Sequence, residues 1–323
     1  MKVLRGLQFF VAFIILLSGC RGKSRDDAAL QAQQKEKSDA YFDGILAQRK
    51  ANEEKISVIN EKLKGIVCYG GLYTLGTNTT DYVTCLKKKV DKENDFDIPM
   101  YNYGIIYEDS ASVLARMGAL PLLCDSFTIA ESVDKLTHID VYTMVGDKKR
   151  SVNILCGKEN PGINPVNIKG VEGTLYGKTD VNDRKKTSDF YFNRDENGKS
   201  DVVATGSAIE TVAAREKADY ITVLWIGDEG GYDNLEELEK QYLAFKDYAK
   251  DKKYIVIGRV SHEDEYPVYK DFMEKTFGDK YLDIKNIINR DSFDSHGDLK
   301  GSANELLAEN ISVRMKELGY FEY

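Results

Sequence analysis

The sequence predicts an α/β chain built on a mostly parallel sheet, with a β-rich subdomain inserted into it. Short apolar runs at 65–69, 99–103, 220–226, 253–258 and 281–284 have the length and composition of buried strands. Segments with helical spacing lie between and beyond them, at 81–90, 109–118, 207–216, 234–251, 266–276 and 302–318. Strands alternating with helices imply parallel pairing, with helices covering both faces of the sheet. The alternation breaks only between 126 and 205, where strand-like pieces (Ile139 to Met144, Val152 to Cys156, Asp189 to Asn193) are separated by Gly, Asn, Pro and Asp. The α/β domain is therefore expected over 65–125 and 206–323, and the β-rich insertion over 126–205, beside the sheet's carboxyl edge.

Local signals punctuate the helices. Asn234 with Glu237 and Ser302 with Glu305 have capping-box spacing, Ser110 suits an N-cap for a helix from 111, and Gly319 is a natural stop.

Ahead of the domain lie two stretches of different character. Lys2 and Arg5 precede the apolar run Leu7 to Leu17, which has signal-peptide length and is too short to span a bilayer comfortably. The run ends in Leu17-Ser18-Gly19-Cys20, a pattern resembling a bacterial lipoprotein cleavage site. Residues 1–19 are thus expected to be removed, and Cys20 to carry lipid that anchors the chain to a membrane outside the cytoplasm. Residues 20–64 read as a charged tether, followed by an amphipathic helix in which Ile56, Ile59 and Leu63 recur at helical spacing.

Composition narrows the partners. The chain has formal charge −8, and losing Lys2 and Arg5 makes it −10, which argues against a nucleic-acid partner. Twenty tyrosines and thirteen phenylalanines supply core and a surface suited to carbohydrate. Four cysteines besides Cys20 (Cys68, Cys85, Cys124, Cys156) match no metal-binding spacing; Cys68, in the first strand, suits a buried free thiol. No metal or cofactor is expected.

The chemistry concentrates at Gly70-Gly71-Leu72-Tyr73-Thr74-Leu75-Gly76-Thr77, a glycine-rich turn between a strand and a helix. Such a turn presents backbone N–H groups and one exposed side chain at the sheet's carboxyl edge. With no lysine after its glycines, it is not a phosphate loop. Other stretches fall in a telling order: Asn102-Tyr103-Gly104 through Glu108-Asp109-Ser110-Ala111, Asn164-Pro165-Val166 with Gly170-Val171-Glu172-Gly173, Trp225-Ile226-Gly227 with Gly230-Gly231-Tyr232, and His296 before Leu318-Gly319-Tyr320-Phe321. Together, from about Gly65 to Tyr323, they resemble the SGNH (GDSL-type) hydrolases, in the subgroup with a β insertion between blocks two and three. The resemblance implies a three-layer α/β/α flavodoxin-like fold and ester substrates, often on carbohydrate.

Carried over one by one, the family's working residues fare poorly. Its first block, Gly-Asp-Ser-Leu-Thr-x-Gly-Thr, lies on Gly70 to Thr77 and puts the aspartate on Gly71 and the nucleophilic serine on Leu72. The oxyanion glycine of block two falls on Tyr107, and the oxyanion asparagine of block three on Glu229, whose ionised carboxylate repels an oxyanion. The general base matches at His296, while its aspartate falls on Phe293, with Asp291 and Asp294 nearby as alternative orienters. Leucine cannot attack an ester, and losing one oxyanion donor alone costs about 10²–10³ in turnover. Thr74, Thr77, Ser110 and Cys68 suit structural roles better than a substitute nucleophile; Asp228 and Glu229 read as solvated loop charges, and His138 and His262 as surface residues.

Three functions follow. The first is a membrane-anchored pseudoenzyme that binds a cell-envelope or extracellular glycan or ester ligand. The second is an active esterase or carbohydrate deacetylase with relocated residues, including a water-activating carboxylate beside His296. The third is an assembly lipoprotein that acts through its tether and insertion.

Overall fold

The computed structural model describes residues 63–76, 81–94, 97–154, 162–179, 187–260 and 265–322, with isolated positions between 43 and 51. The chain divides between Ile59 and Asn60, and every element below belongs to the second unit. The expectations for the signal peptide, for Cys20 and, apart from those isolated positions, for the tether up to residue 62 lie outside the described residues, as do Thr77, Cys156 and His262. Among the described residues, no helix is long and apolar enough to cross a membrane.

A five-stranded parallel sheet is built from β1 (Ile66–Gly70), β2 (Met100–Gly104), β13 (Ile221–Trp225), β14 (Tyr254–Ile257) and β15 (Tyr281–Leu282), in the order β15-β14-β13-β1-β2. All residues of β1, β13 and β14 are buried, as central strands with helices on both sides require. The connecting helices are α1 (Leu72–Leu75), α2 (Tyr82–Asn94), α3 (Ser110–Arg116), α4 (Val212–Glu216), α5 (Leu235–Tyr248), α6 (Tyr266–Phe277) and α7 (Gly301–Glu317). On one face, Val67, Tyr69, Leu224 and Val256 share a core with Leu114 of α3, Tyr242 and Phe245 of α5 and Met273 of α6. On the other, alternate positions meet α2, which packs beside α7: Trp225 lies 5.9 Å from the Tyr82 ring. Cys68 is fully buried there, and burial pushes its thiol pKa well up, as suits a structural cysteine; Cys85 and Cys124 are also free.

The stretch between α3 and α4 supplies β3 (Leu122–Cys124), β4 (Phe127–Ile129), β5 (Thr137–Ile139), β6 (Val141–Val145), β7 (Lys148–Ser151), β8 (Val166–Ile168), β9 (Val171–Thr179), β10 (Thr187–Arg194), β11 (Val202–Ala204) and β12 (Ser207–Glu210). They form a second, antiparallel sheet in the order β5-β10-β9-β8-β12-β3-β6-β7, with a separate β4–β11 pair. It begins at β3 (Leu122–Cys124) and ends at β12 (Ser207–Glu210), so its edges lie a few residues outside 126–205. The helix expected over 207–216 is accordingly halved. Ser207 and Ala208 pair with β3, Ile209 and Glu210 pair with β8 (Val166–Ile168), and only Val212–Glu216 is helical. Alternation of buried and exposed residues in Ser207–Glu210 is the strand period, and two waiting partners decide the outcome.

The insertion is fastened to the α/β body by charge as well as by shared core. Arg150, on β7 (Lys148–Ser151), pairs with Glu237 and with Asp233 (2.7 Å), and Lys148 pairs with the same two carboxylates. Of the expected caps, Asn234 holds: its side chain accepts the Glu237 N–H. Ser302 falls inside α7, which starts after Lys300 with no side-chain cap. Asp109, not Ser110, caps α3, accepting the Ser112 N–H at 2.8 Å.

Candidate functional site

Gly70 ends β1 and the chain turns at once into α1. The turn is tightly packed, since a Cβ on Gly70 would lie 2.2 Å from Thr74 Oγ1 and one on Gly71 2.6 Å from Glu229 Cγ. An aspartate at 71 therefore has no room while Glu229 holds its place. Asn102 ties the turn to β2, its amide donating to Thr74 O and Leu75 O. Thr74 is buried with Oγ1 3.3 Å from Tyr82 Oη, which makes it a structural hydroxyl.

Leu72 and Tyr73 emerge from this turn into a cleft of about 620 Å³. Tyr107, Asp109, Asp228 and Glu229 line it from the sheet side, and Ser151, Val152, Asn153 and Thr187 line it from the insertion. Sequence reasoning did not assign the insertion's four contributions. Their only signal was position beside the carboxyl edge.

The carboxylates here are partnered. Glu229 Oε1 accepts the Leu72 N–H at 3.3 Å. Asp228 accepts the Trp225 indole N–H at 2.9 Å and the Val260 N–H at 3.0 Å. Both are half-buried, which corrects the expectation that they are solvated loop charges. Asp109 spends its carboxylate on the α3 cap, and burial pushes its pKa up. Ser110 is occupied as well, donating to Gly230 O at 2.6 Å.

Tyr107 has φ +62°, a left-handed conformation natural for glycine and costly for a tyrosine. Its carbonyl accepts from Asn153 Nδ2 at 2.6 Å, so the insertion helps hold the turn in that shape. Behind it lies a fully buried ion pair, with Arg116 donating to both Glu108 oxygens (Nε at 2.8 and 3.1 Å) and to Tyr103 O (2.7 Å). Beside the cleft, Tyr73 stacks on Trp225 at 5.3 Å, and burial with nearby carboxylates raises its pKa, keeping the phenol neutral.

Leu72, Tyr107 and Glu229 thus line one cleft, while His296, Asp294 and Asp291 are not among its lining residues. The His296 side chain is 82% exposed, and its Nδ1 is 3.9 Å from Asp294 Oδ2. Asp294 instead turns its Oδ1 to the N–H groups of His296 (2.8 Å) and Asp298 (3.1 Å), holding the loop rather than the imidazole. Phe293 packs its ring 5.7 Å from Tyr73. Asp291 lines a different cleft, beyond β14 and β15.

Compared with protein-family models, curated proteins and solved structures, the chain finds no match.

Proposed function

We propose that the chain is a lipid-anchored binding protein, an SGNH-like domain of three-layer, flavodoxin-like type that has lost its hydrolytic chemistry. Lipid on Cys20 holds it to a bacterial membrane on the extracytoplasmic side, and the Leu72 cleft takes a cell-envelope or extracellular glycan or ester. The strand order supports the fold assignment: taken in chain order, the five parallel strands lie 2-1-3-4-5, the doubly wound arrangement whose ligands sit at the switch point. That point is between β1 and β13, where Leu72 and Glu229 meet.

One observation carries the non-catalytic reading, the Glu229 carboxylate on the Leu72 N–H. In an acyl-transfer site, a donor of this kind faces the developing oxyanion. Here a fixed negative charge stands against it, and the side chain beside it is leucine. The Tyr73 ring, backed by the buried Trp225 on which it stacks, and the polar wall from the insertion suit a sugar face flanked by hydroxyls.

The chain's single tryptophan is Trp225, so its fluorescence reports on this cleft. Titrating the full chain with acetylated and unacetylated xylo- and chito-oligosaccharides is expected to give a saturable change with at least one, and no release of acetate. Turnover of a simple acetyl ester that disappears in His296→Ala would overturn the proposal in favour of the esterase or deacetylase reading.

A further inference from the structure

The same sheet edge opens a second cleft of about 740 Å³, beyond the ends of β14 and β15. Among the described residues, Arg259, Lys285 and Arg290 line it with one carboxylate, Asp291. In a chain of net charge −8, that local excess of cations runs against the overall balance. Asp291 is exposed, as are Lys285 and Arg290, so these three form the solvated rim.

Arg259 is different, because it is only 4% exposed. Its stem packs on the backbone of Gly227, where an added Cβ would lie 2.9 Å from Arg259 Cδ. Its guanidinium is wedged between aromatic rings, 5.6 Å from the centre of Tyr232 and 5.2 Å from that of Tyr269. That packing fixes the fork before any ligand arrives. Yet the buried Nε has no hydrogen-bond partner among the described residues, and the ion pair to the half-exposed Glu265 is 3.6 Å, beyond hydrogen-bond length. A buried guanidinium is normally held by a carboxylate or carbonyl, as Arg116 is, because an unmet charged donor is costly. The nearby Asp283 does not fill the role: it accepts from Tyr266 Oη at 2.5 Å and pairs with Lys270 at 3.2 Å.

We propose that this cleft is an anion site, taking a carboxylate or phosphate group of a ligand on Arg259, with Lys285 and Arg290 drawing it in. Arg259 lines the cleft, and a planar, pre-oriented guanidinium matches two oxygens of such a group side by side. The apolar floor, Ile288 and Phe293, suits the carbon frame that carries it. None of the residues lining this cleft lines the Leu72 cleft, so the inference stands apart from the glycan reading.

Calorimetric titration of the full chain at fixed ionic strength, with inorganic phosphate, glucuronate and glucose as separate probes, tests it. Saturable binding of phosphate, glucuronate or both is expected, with none for glucose; phosphate alone would point to a phosphorylated ligand and glucuronate alone to a uronic acid. Arg259→Lys should weaken the bound anion about tenfold or more, since the ammonium loses the paired geometry. The rim double variant Lys285→Gln/Arg290→Gln, which leaves the core untouched, should weaken it about tenfold as well. No binding above the glucose control, or equal affinity in both variants and the parent, would overturn the proposal.

Discussion

The two clefts share one sheet edge and treat charge in opposite ways. Beyond β1 and β13, Asp109, Asp228 and Glu229 each accept a hydrogen bond from the protein's own N–H groups. Beyond β14 and β15, Arg259 has a buried Nε with no acceptor among the described residues. The same contrast separates the two most buried arginines, for Arg116 is closed on Glu108 while Arg259 is not. Charge satisfied internally fixes a backbone turn, and charge left open at a cleft wall points toward a ligand. The Leu72 cleft therefore has its polarity set by the fold itself, and what it offers a ligand is shape, the Tyr73 ring and the insertion's polar wall.

The contrast can be broken most sharply at the arginines. Arg116→Met strands the buried Glu108 carboxylate and is expected to cost about 3–5 kcal/mol in urea denaturation. Arg259→Met removes a guanidinium without a hydrogen bond at Nε and should cost no more than about 1 kcal/mol. Equal losses would show that Arg259 is structural and erase the distinction. Next in size is Glu229→Ala, which frees the Leu72 N–H and removes a negative charge. Acetate, which the parent cleft should reject, is then expected to perturb Trp225 fluorescence, with a stability cost of about 1 kcal/mol. If acetate behaves alike in both proteins, Glu229 does not set the polarity of that cleft.

A pH experiment sharpens the role of the insertion. Burial pushes the Glu237 carboxyl up, but the Arg150 guanidinium and the Asp233 N–H outweigh it and hold the carboxyl below its usual value. Glu237 binds fewer protons in the folded state, so its stabilisation is complete above about pH 4.3, the unfolded carboxyl's range. It declines as pH falls through the lower folded value. Stability measured from pH 7 to pH 3 should fall less steeply in Glu237→Gln at the acid end, and identical slopes would remove this anchor from the account. The smallest effect is expected from Tyr107→Gly, where relief of the positive φ offsets lost packing and chain entropy. The melting change should correspond to less than about 1 kcal/mol.

The parallel sheet was legible because β1, β13 and β14 are unbroken apolar runs separated by amphipathic helices. The turn at Gly70–Gly76 was legible because its glycines answer close contacts that backbone shape alone demands. Ser207–Glu210 was misread because four residues beside a true helix carry no decisive period, and pairing with β3 and β8 settles them from far along the chain. Ser110 and Asp109 are adjacent candidates for one cap, and the choice falls to whichever side chain the Gly230 carbonyl does not claim. His296 sits at its expected place in the sequence, but Asp294 binds the loop's backbone, and nothing local revealed that the imidazole would face solvent. Arg259 drew no notice because an arginine after a strand is ordinary, and its aromatic clamp is assembled from residues 27 or fewer positions away on other elements.

β3 and β12 lie side by side, Ser207 opposite Cys124 and Ala208 opposite Leu123. The chain leaves the α/β body and returns to it through neighbouring strands, so nearly ninety residues are hung from what is, to the parallel sheet, a single narrow doorway. A graft through that doorway can grow, shrink or be exchanged without altering the order of the five strands. Since Ser151, Asn153 and Thr187 travel with it, trading that one module would re-line the Leu72 cleft and leave the five-stranded scaffold and the second cleft's lining in place.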